Sequence, residues 1–250
     1  YDRAPSTIYW ISDFFMPMAE ARREKIFRPR AQELVRRFGS DQRWLIGDIG
    51  AGFRLFLEEM RTLWPESTYV AIEPSSKQAE ICRKSNLLVE CCLLEELKGY
   101  DNRFDLLTAF ELFEHLYEPA LFLKRVYSLL KPGGRLLLTT LNGEGFDIQI
   151  LWEKARSIYP PGHMNFFNPG SLARLLRETG FTVEEGTTPG QLDWDIVEGM
   201  IKDEKFDPGR FWKLFSKKAN RDAKIMLQDW IRRSGLSSHM KFLAQKRNEF

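Results

Sequence analysis

The sequence predicts an α/β fold, a doubly wound sheet of seven mostly parallel strands with helices on both faces. Short apolar runs alternate with segments of helical apolar periodicity along most of the 250 residues. These runs are continuous in Leu, Ile and Val, which is typical of strands buried on both faces of a parallel sheet. Turns rich in glycine and proline separate the runs from the helices. The three patterns together indicate one large α/β core.

The elements of this core follow one another in a regular order. The predicted strands are residues 44–49, 68–73, 87–92, 104–110, 135–140 and 181–186, with a last strand at 238–245. Helices are predicted after the glycine turn at 50–52, after Ser76 as the helix cap, at 119–130 and at 169–180. The Lys-Pro-Gly-Gly sequence at 131–134 is expected to stop the third of these helices.

The chain divides into four predicted parts. They are an N-terminal helical cap at 1–40, the core at 41–186, a helical insertion at 187–237 and the last core strand at 238–250. We expect the insertion to form a lid over a binding pocket, together with four aromatic residues near the start of the chain: Tyr9, Trp10, Phe14 and Phe15. The alternative is that its helices join two copies of the chain as a homodimer.

Composition and charge exclude several classes of protein. The 37 Lys and Arg nearly balance the 35 Asp and Glu, which argues against a strongly basic nucleic-acid binder. The longest apolar runs, such as 106–113, are too short to span a membrane. No signal-peptide pattern opens the chain, and three Cys do not suit a disulfide framework. We therefore expect a cytoplasmic protein in a reducing compartment.

The residues that follow the first two strands indicate a nucleoside-binding site. Ligands of parallel sheets bind at the carboxyl ends of the strands, where Gly50 and Gly52 allow a tight turn close to a ligand. Glu73 comes 21 residues after Gly52, at the end of the next strand, and can accept hydrogen bonds from a ribose diol. Asp48 would repel a pyrophosphate but suits an ammonium group, so the pattern favours S-adenosylmethionine (SAM) over NAD.

Longer stretches carry a resemblance to a known family. LIGDIGAGF, AIEP, FDLLTAFELFEHL and LKPGGRLLLTT resemble the motifs of class I SAM-dependent methyltransferases. HMNFFNPGSLARLLRETGFTVEE is similar to the branch that includes ubiquinone-biosynthesis O-methyltransferases and sugar-modifying enzymes, and SSHMKFLAQK resembles the family's last strand. The resemblance covers residues 44–185 and this last strand. It implies a Rossmann-like fold and SAM as cofactor, with S-adenosylhomocysteine (SAH) as product.

The resemblance also implies which residues bind the cofactor. The expected set is Asp48, Gly50, Ala51, Gly52, Glu73, Pro74, Leu93, Leu94, Phe110 and Glu111. Two positions depart from the family pattern. Arg54 stands where the family has a third glycine, and Leu93 and Leu94 stand where it often has an acid near the adenine. We therefore expect backbone and apolar contacts to hold the adenine.

The candidates for catalysis are His115, His163 and Glu111. Glu111, Glu114 and His115 are spaced to share one face of a helical turn. Three readings stay open: they orient the loop and contact the cofactor, His115 is a general base, or the group resembles the divalent-metal site of ubiquinone-type relatives. We expect no metal. His163 follows a Pro-Pro-Gly loop and could be a base or order that loop, and His239 is expected to be structural.

We expect methyl transfer from SAM to a small-molecule acceptor, with an oxygen of a sugar or sugar-like metabolite first and a quinone or phenol next. No Asn-Pro-Pro-aromatic sequence follows the fourth strand, which argues against nucleic-acid and amide acceptors. Two alternatives stay open. One is a NAD-dependent oxidoreductase, and the other is a SAM-fold binding or scaffold protein that has lost catalysis.

Overall fold

The computed structural model describes residues 16–203 and 206–248. The chain forms two compact units. The first contains the chain up to Ala109, Leu121–Leu136 and the residues from Lys246, and the second contains Phe110–Ala120 and Leu137–Gln245. The four aromatic residues predicted to join the lid (Tyr9, Trp10, Phe14 and Phe15) lie outside the described residues.

Seven strands form one sheet, which confirms the predicted fold class. They are β1 (Leu45–Ile49), β2 (Thr68–Ile72), β3 (Leu88–Glu90), β4 (Phe104–Phe110), β5 (Leu130–Leu141), β6 (Phe181–Thr187) and β7 (His239–Lys246). The strand order is β3-β2-β1-β4-β5-β7-β6. The pairs β1–β2, β1–β4 and β2–β3 are parallel, and Asp48 lies between Ala71 and Thr108 in this register.

The α-helices precede, connect and follow these strands. They are α1 (Met16–Arg22), α2 (Arg28–Phe38), α3 (Leu55–Leu63), α4 (Ser76–Arg83), α5 (Pro119–Leu129), α6 (Phe146–Leu151), α7 (Pro169–Glu178), α8 (Asp193–Lys202), α9 (Arg210–Lys218) and α10 (Arg221–Arg233). A π-helical turn, Arg23–Phe27, joins α1 to α2. Among the described residues, no helix is both long enough and apolar enough to cross a membrane.

The core of the first unit forms where helix α3 meets the strands. Phe56, Leu57 and Met60 lie on the buried side of α3, and each is at most 1% exposed. Burying side chains of this size stabilises a fold by about 1.5–3 kcal/mol each. On the other side of the helix, Arg23 pairs with Glu58 at 2.5 Å and with Glu59 at 3.1 Å, which ties the π-helical turn to α3.

The core of the second unit is built from helices α6, α8 and α10, which precede β7 in sequence. Phe146, Trp194, Val197 and Ile231 form its buried centre. Asp193 fixes the entry to β7, because one of its carboxylate oxygens accepts hydrogen bonds from the backbone N–H and the hydroxyl of Ser238, at 2.6 and 2.7 Å. The segment predicted as a helical insertion thus contains α8, α9 and α10. Its first helix is hydrogen-bonded through Asp193 to Ser238, the residue before β7.

Several predicted boundaries are wrong. Ser75, not Ser76, caps α4, because Ser75 is buried with its hydroxyl facing the Gln78 N–H at 3.5 Å, while Ser76 is exposed. Strand β5 begins at Leu130, so the predicted turn at 131–134 lies within it. Strand β3 ends at Glu90, since the chain leaves the sheet before the exposed Cys91.

Candidate functional site

The first unit carries a tight glycine turn after β1. Gly50 and Gly52 have positive φ values of 70° and 52°, a conformation that glycine adopts without steric cost. The Gly50 N–H donates to the Ile72 carbonyl at 2.8 Å, which holds the turn against the end of β2. Ala51, between the two glycines, is buried. The turn therefore lies at the carboxyl edge of the parallel strands, as the sequence predicts.

Glu73 is joined to this turn by a direct hydrogen bond. Its Oε2 accepts from the Gly52 N–H at 2.9 Å, and its Oε1 accepts from the Ser75 N–H at 2.9 Å. The residue is 3% exposed, so the two bonds fix the carboxylate. Carboxylate oxygens each accept more than one hydrogen bond, which suits the binding of a ribose diol.

Asp48 is another buried acid of the first unit. Thr108 donates its hydroxyl hydrogen to Asp48 Oδ1 at 2.5 Å, and Asp48 is only 4% exposed. Burial raises the pKa of Asp48 to about 7, opposed by the Thr108 hydrogen bond and reinforced by the charge of Glu73. A ligand ammonium would favour the ionised carboxylate, because a nearby opposite charge lowers an acid's pKa.

Arg54, which stands where the family motif has a glycine, has a left-handed backbone conformation. Its φ is 61°, in the left-handed region, at a cost of about 1–2 kcal/mol for a residue with a side chain. The Arg54 Nε donates to Glu58 Oε1 at 2.7 Å, four residues further along the chain. This ion pair ties the guanidinium to α3.

The remaining predicted cofactor residues differ in accessibility. Leu93 is 47% exposed and offers an apolar surface, whereas Leu94 is 4% exposed and packs in the core. Pro74 is half-buried between Glu73 and the α4 cap. Phe110 ends β4 and belongs to the second unit, as does Glu111.

In the second unit, Glu111 is held by two strands of the sheet. Its backbone N–H donates to the Thr139 carbonyl at 3.0 Å, and its Oε1 accepts from the Thr139 hydroxyl at 2.7 Å. Its Oε2 lies 3.2 Å from His239 Nε2. Glu111 has a φ of 50° and precedes the short helical turn Phe113–His115, so it does not share one helical face with Glu114 and His115.

His239, which is predicted from the sequence to be structural, is the partner of Glu111 in this contact. It is the first residue of β7, and its side chain is 45% exposed. The charge of Glu111 raises the pKa of His239 to about 9, with further contributions from the Glu111 hydrogen bond and from Glu114 and Asp147. No local motif marks His239, because only the placement of β7 beside β5 brings it to Glu111.

Glu114, His115 and His163 form a second polar group in the same unit. One potential ligand atom from each residue lies within 4.8 Å of the others. Glu114 is 2% exposed and its Oε2 accepts from the Thr140 hydroxyl at 2.8 Å. Burial, with the charge of Glu111, raises the pKa of Glu114 to about 7.

Backbone carbonyls fix the tautomers of the two histidines. His115 Nδ1 lies 2.7 Å from the Gly162 carbonyl, and His163 Nδ1 lies 2.7 Å from the Ser157 carbonyl. Because a carbonyl only accepts, each Nδ1 carries a hydrogen and each Nε2 keeps a lone pair in the neutral ring. Desolvation and the neighbouring His163 lower the pKa of His115, which favours that neutral form. The two Nε2 atoms and a Glu114 oxygen are donors that a divalent transition metal accepts.

Comparison with known proteins defines the class. Residues 18–185 match the model of a family described as "Methyltransferase domain", and the chain belongs to that family. The resemblance to class I SAM-dependent methyltransferases is thereby confirmed, and SAM is the cofactor of this class.

Individual relatives agree with this family. A ubiquinone biosynthesis O-methyltransferase of Xanthomonas euvesicatoria pv. vesicatoria is 30% identical over 151 residues, 55% of this chain and 62% of that protein. The chain thus matches less than two thirds of that relative's length. A methyltransferase solved with the Haloferax volcanii Trm112 activator is similar with a TM-score of 0.65 and 15% identity over 96% of each chain. The plantazolicin methyltransferase BpumL in complex with SAH has a TM-score of 0.63 at 16% identity, covering 98% of this chain and 92% of that one. These two structures support the fold.

Proposed function

We propose that the chain transfers the methyl group of SAM to a phenolic oxygen of a small aromatic acceptor. The Glu73–Gly52 hydrogen bond supports SAM as the methyl donor, because it brings a ribose-binding acid to the glycine turn. The phenolic acceptor is supported by the relatives named as ubiquinone biosynthesis O-methyltransferases. A sugar-like acceptor, the first expectation from sequence, is the alternative that an acceptor screen must include.

Residues of the first unit supply the cofactor contacts in this proposal. Glu73 accepts hydrogen bonds from the ribose hydroxyls, the backbone at 50–52 approaches the cofactor closely, and ionised Asp48 attracts the methionine ammonium. Leu93 offers an apolar wall for the adenine. SAM supplies a sulfonium methyl group that is already activated, so alignment provides much of the acceleration.

His115 supplies the base. A phenol must lose its proton to attack the methyl carbon, and an imidazole Nε2 with a free lone pair can take it. The lowered pKa of His115 keeps this lone pair available at neutral pH. Thr140 and the backbone carbonyls hold the group around it in place. In the same unit, we propose that the segment carrying α8–α10 covers the acceptor.

A turnover assay tests this function. Purified chain is incubated with SAM and either catechol or UDP-glucose, and SAH is quantified by mass spectrometry. Catechol should yield SAH, and His115→Gln should lower the rate by about 10²–10⁴-fold, the usual contribution of a general base. A surface variant, Lys124→Gln, serves as the control. SAM binding without turnover on either acceptor would favour the binding-protein alternative.

An experiment with a chelator distinguishes two mechanisms for the group of Glu114, His115 and His163: general-base catalysis and metal-assisted catalysis. With His115 as base, excess EDTA leaves the rate unchanged. Loss of turnover in EDTA and recovery with Mn²⁺ or Zn²⁺ would replace the base by a metal-assisted mechanism.

A further inference from the structure

Helix α9 presents an apolar strip on its outer side. None of its residues is buried, and Phe211 and Leu214 are 65% and 53% exposed. These two residues are three apart in a helix, so they lie on one side of it. On the inner side, Trp212 packs on the core of the second unit, with its ring centroid 5.3 Å from that of Phe146. The helix is thus anchored by one side while its other side leaves two large apolar groups in solvent.

Positive charge surrounds this strip. Arg210, Lys217 and Lys218 are exposed, and none of them forms an ion pair with another residue in 16–203 or 206–248. Between residues 210 and 233, eight Lys and Arg stand against two Asp and Glu, whereas the whole chain has a net charge of +2. The rest of the chain is therefore net negative, and the excess positive charge is concentrated on α9 and α10.

Helix α10 has the same character. Ile225, Met226 and Trp230 are 55%, 72% and 54% exposed. Ile231 is the one buried residue of α10, all of whose residues the structure describes. Arg221 adds an exposed cation at the start of this helix. Two consecutive helices of one unit therefore combine exposed aliphatic and aromatic groups with cations.

We propose that the basic apolar surface of α9, formed by Arg210, Phe211, Leu214, Lys217 and Lys218, docks on a membrane with anionic lipid headgroups. Amphipathic helices bind such membranes by placing aromatic and aliphatic groups at the acyl boundary and cations among the headgroups. A second copy of the chain would bring two positive surfaces together, and a nucleic acid would leave the apolar groups in water. The proposal is independent of the acceptor and of catalysis.

Vesicle co-sedimentation tests the proposal on the full chain. Vesicles of phosphatidylglycerol mixed with phosphatidylcholine are compared with vesicles of phosphatidylcholine alone. The chain should sediment with the mixed vesicles, and Lys217→Glu/Lys218→Glu should weaken this binding by about tenfold or more. Lys98→Glu/Lys124→Glu changes the net charge equally on other exposed positions and should retain at least half of the binding. Phe211→Ser/Leu214→Ser should also lose binding, whereas Leu121→Ser, at a residue that is 50% exposed, should not.

Three outcomes would overturn the proposal. The first is no binding of the wild-type chain to anionic vesicles while it still binds SAH, which shows that it is folded. The second is equal loss of binding in the α9 variants and in their controls. The third is self-association without vesicles, measured by light scattering, that Phe211→Ser/Leu214→Ser abolishes, which would assign the surface to a second copy.

Discussion

His239 Nε2 lies 3.2 Å from Glu111 Oε2, and this contact joins the first residue of β7 to the segment that follows β4. The Glu111 charge is the main cause of a His239 pKa of about 9. Glu111→Gln should therefore lower the His239 pKa toward its ordinary value of about 6.5. NMR titration of the imidazole resonances measures it, with Glu118→Gln as the control at an exposed acid.

The same pair predicts how stability changes with pH. A histidine whose pKa is raised by folding stabilises the folded state below its unfolded pKa, and this contribution is lost as pH rises through the folded pKa. The contribution of the His239–Glu111 pair to the free energy of unfolding should therefore be fully present near pH 6 and lost above pH 9. A wild-type His239 that titrates near pH 6.5 would contradict the ion pair.

Asp48 predicts a pH dependence of cofactor affinity. Its pKa of about 7 means that the carboxyl is largely protonated at pH 6 and largely ionised at pH 8 in the free protein. If the ionised form binds the SAM ammonium, affinity should be about tenfold higher at pH 8 than at pH 6. Calorimetric titrations at both pH values measure this change. Asp48→Asn should remove it, and an unchanged pH dependence in that variant would assign the proton to another group.

Gly47 and Gly199 predict opposite effects of alanine on stability. A Cβ on Gly47 would lie 2.6 Å from Leu107 Cδ2 and 2.8 Å from Phe104 Cε1, so Gly47→Ala should destabilise by about 1–3 kcal/mol. A Cβ on Gly199, inside α8, would meet no atom within 4 Å. Gly199→Ala should stabilise by about 0.5–1 kcal/mol through helix propensity. Urea unfolding followed by tryptophan fluorescence measures both, and an unchanged midpoint for Gly47→Ala would show that β1 has room for a methyl group.

The sequence predicts much of the fold because the relevant signals are local. Continuous apolar runs place β1, β2 and β4 within one residue of their observed bounds. The errors occur where sheet pairing or burial decides the boundary, as at the start of β5 and at the α4 cap. A local pattern does not contain the information that Leu130 already lies in a strand.

The residues of the candidate site could likewise be predicted only where the signal in the sequence is local. The glycine turn and Glu73 could be predicted from their spacing, and Gly52 and Glu73 share a hydrogen bond in the structure. The His239–Glu111 pair could not, because it depends on strand placement between distant parts of the chain. The left-handed conformation of Arg54 could not be predicted either, since arginine seldom adopts it.

A calorimetric titration of SAH into three proteins tests whether Glu73 and the glycine turn bind the nucleoside of SAM. The proteins are the wild type, Glu73→Gln and the control Glu90→Gln, whose wild-type carboxylate accepts from the Tyr100 hydroxyl at 2.8 Å. Glu73→Gln should weaken binding by roughly 1–3 kcal/mol, about 5- to 150-fold, while Glu90→Gln should bind like the wild type. Wild-type affinity in a folded Glu73→Gln protein would contradict the assigned cofactor site.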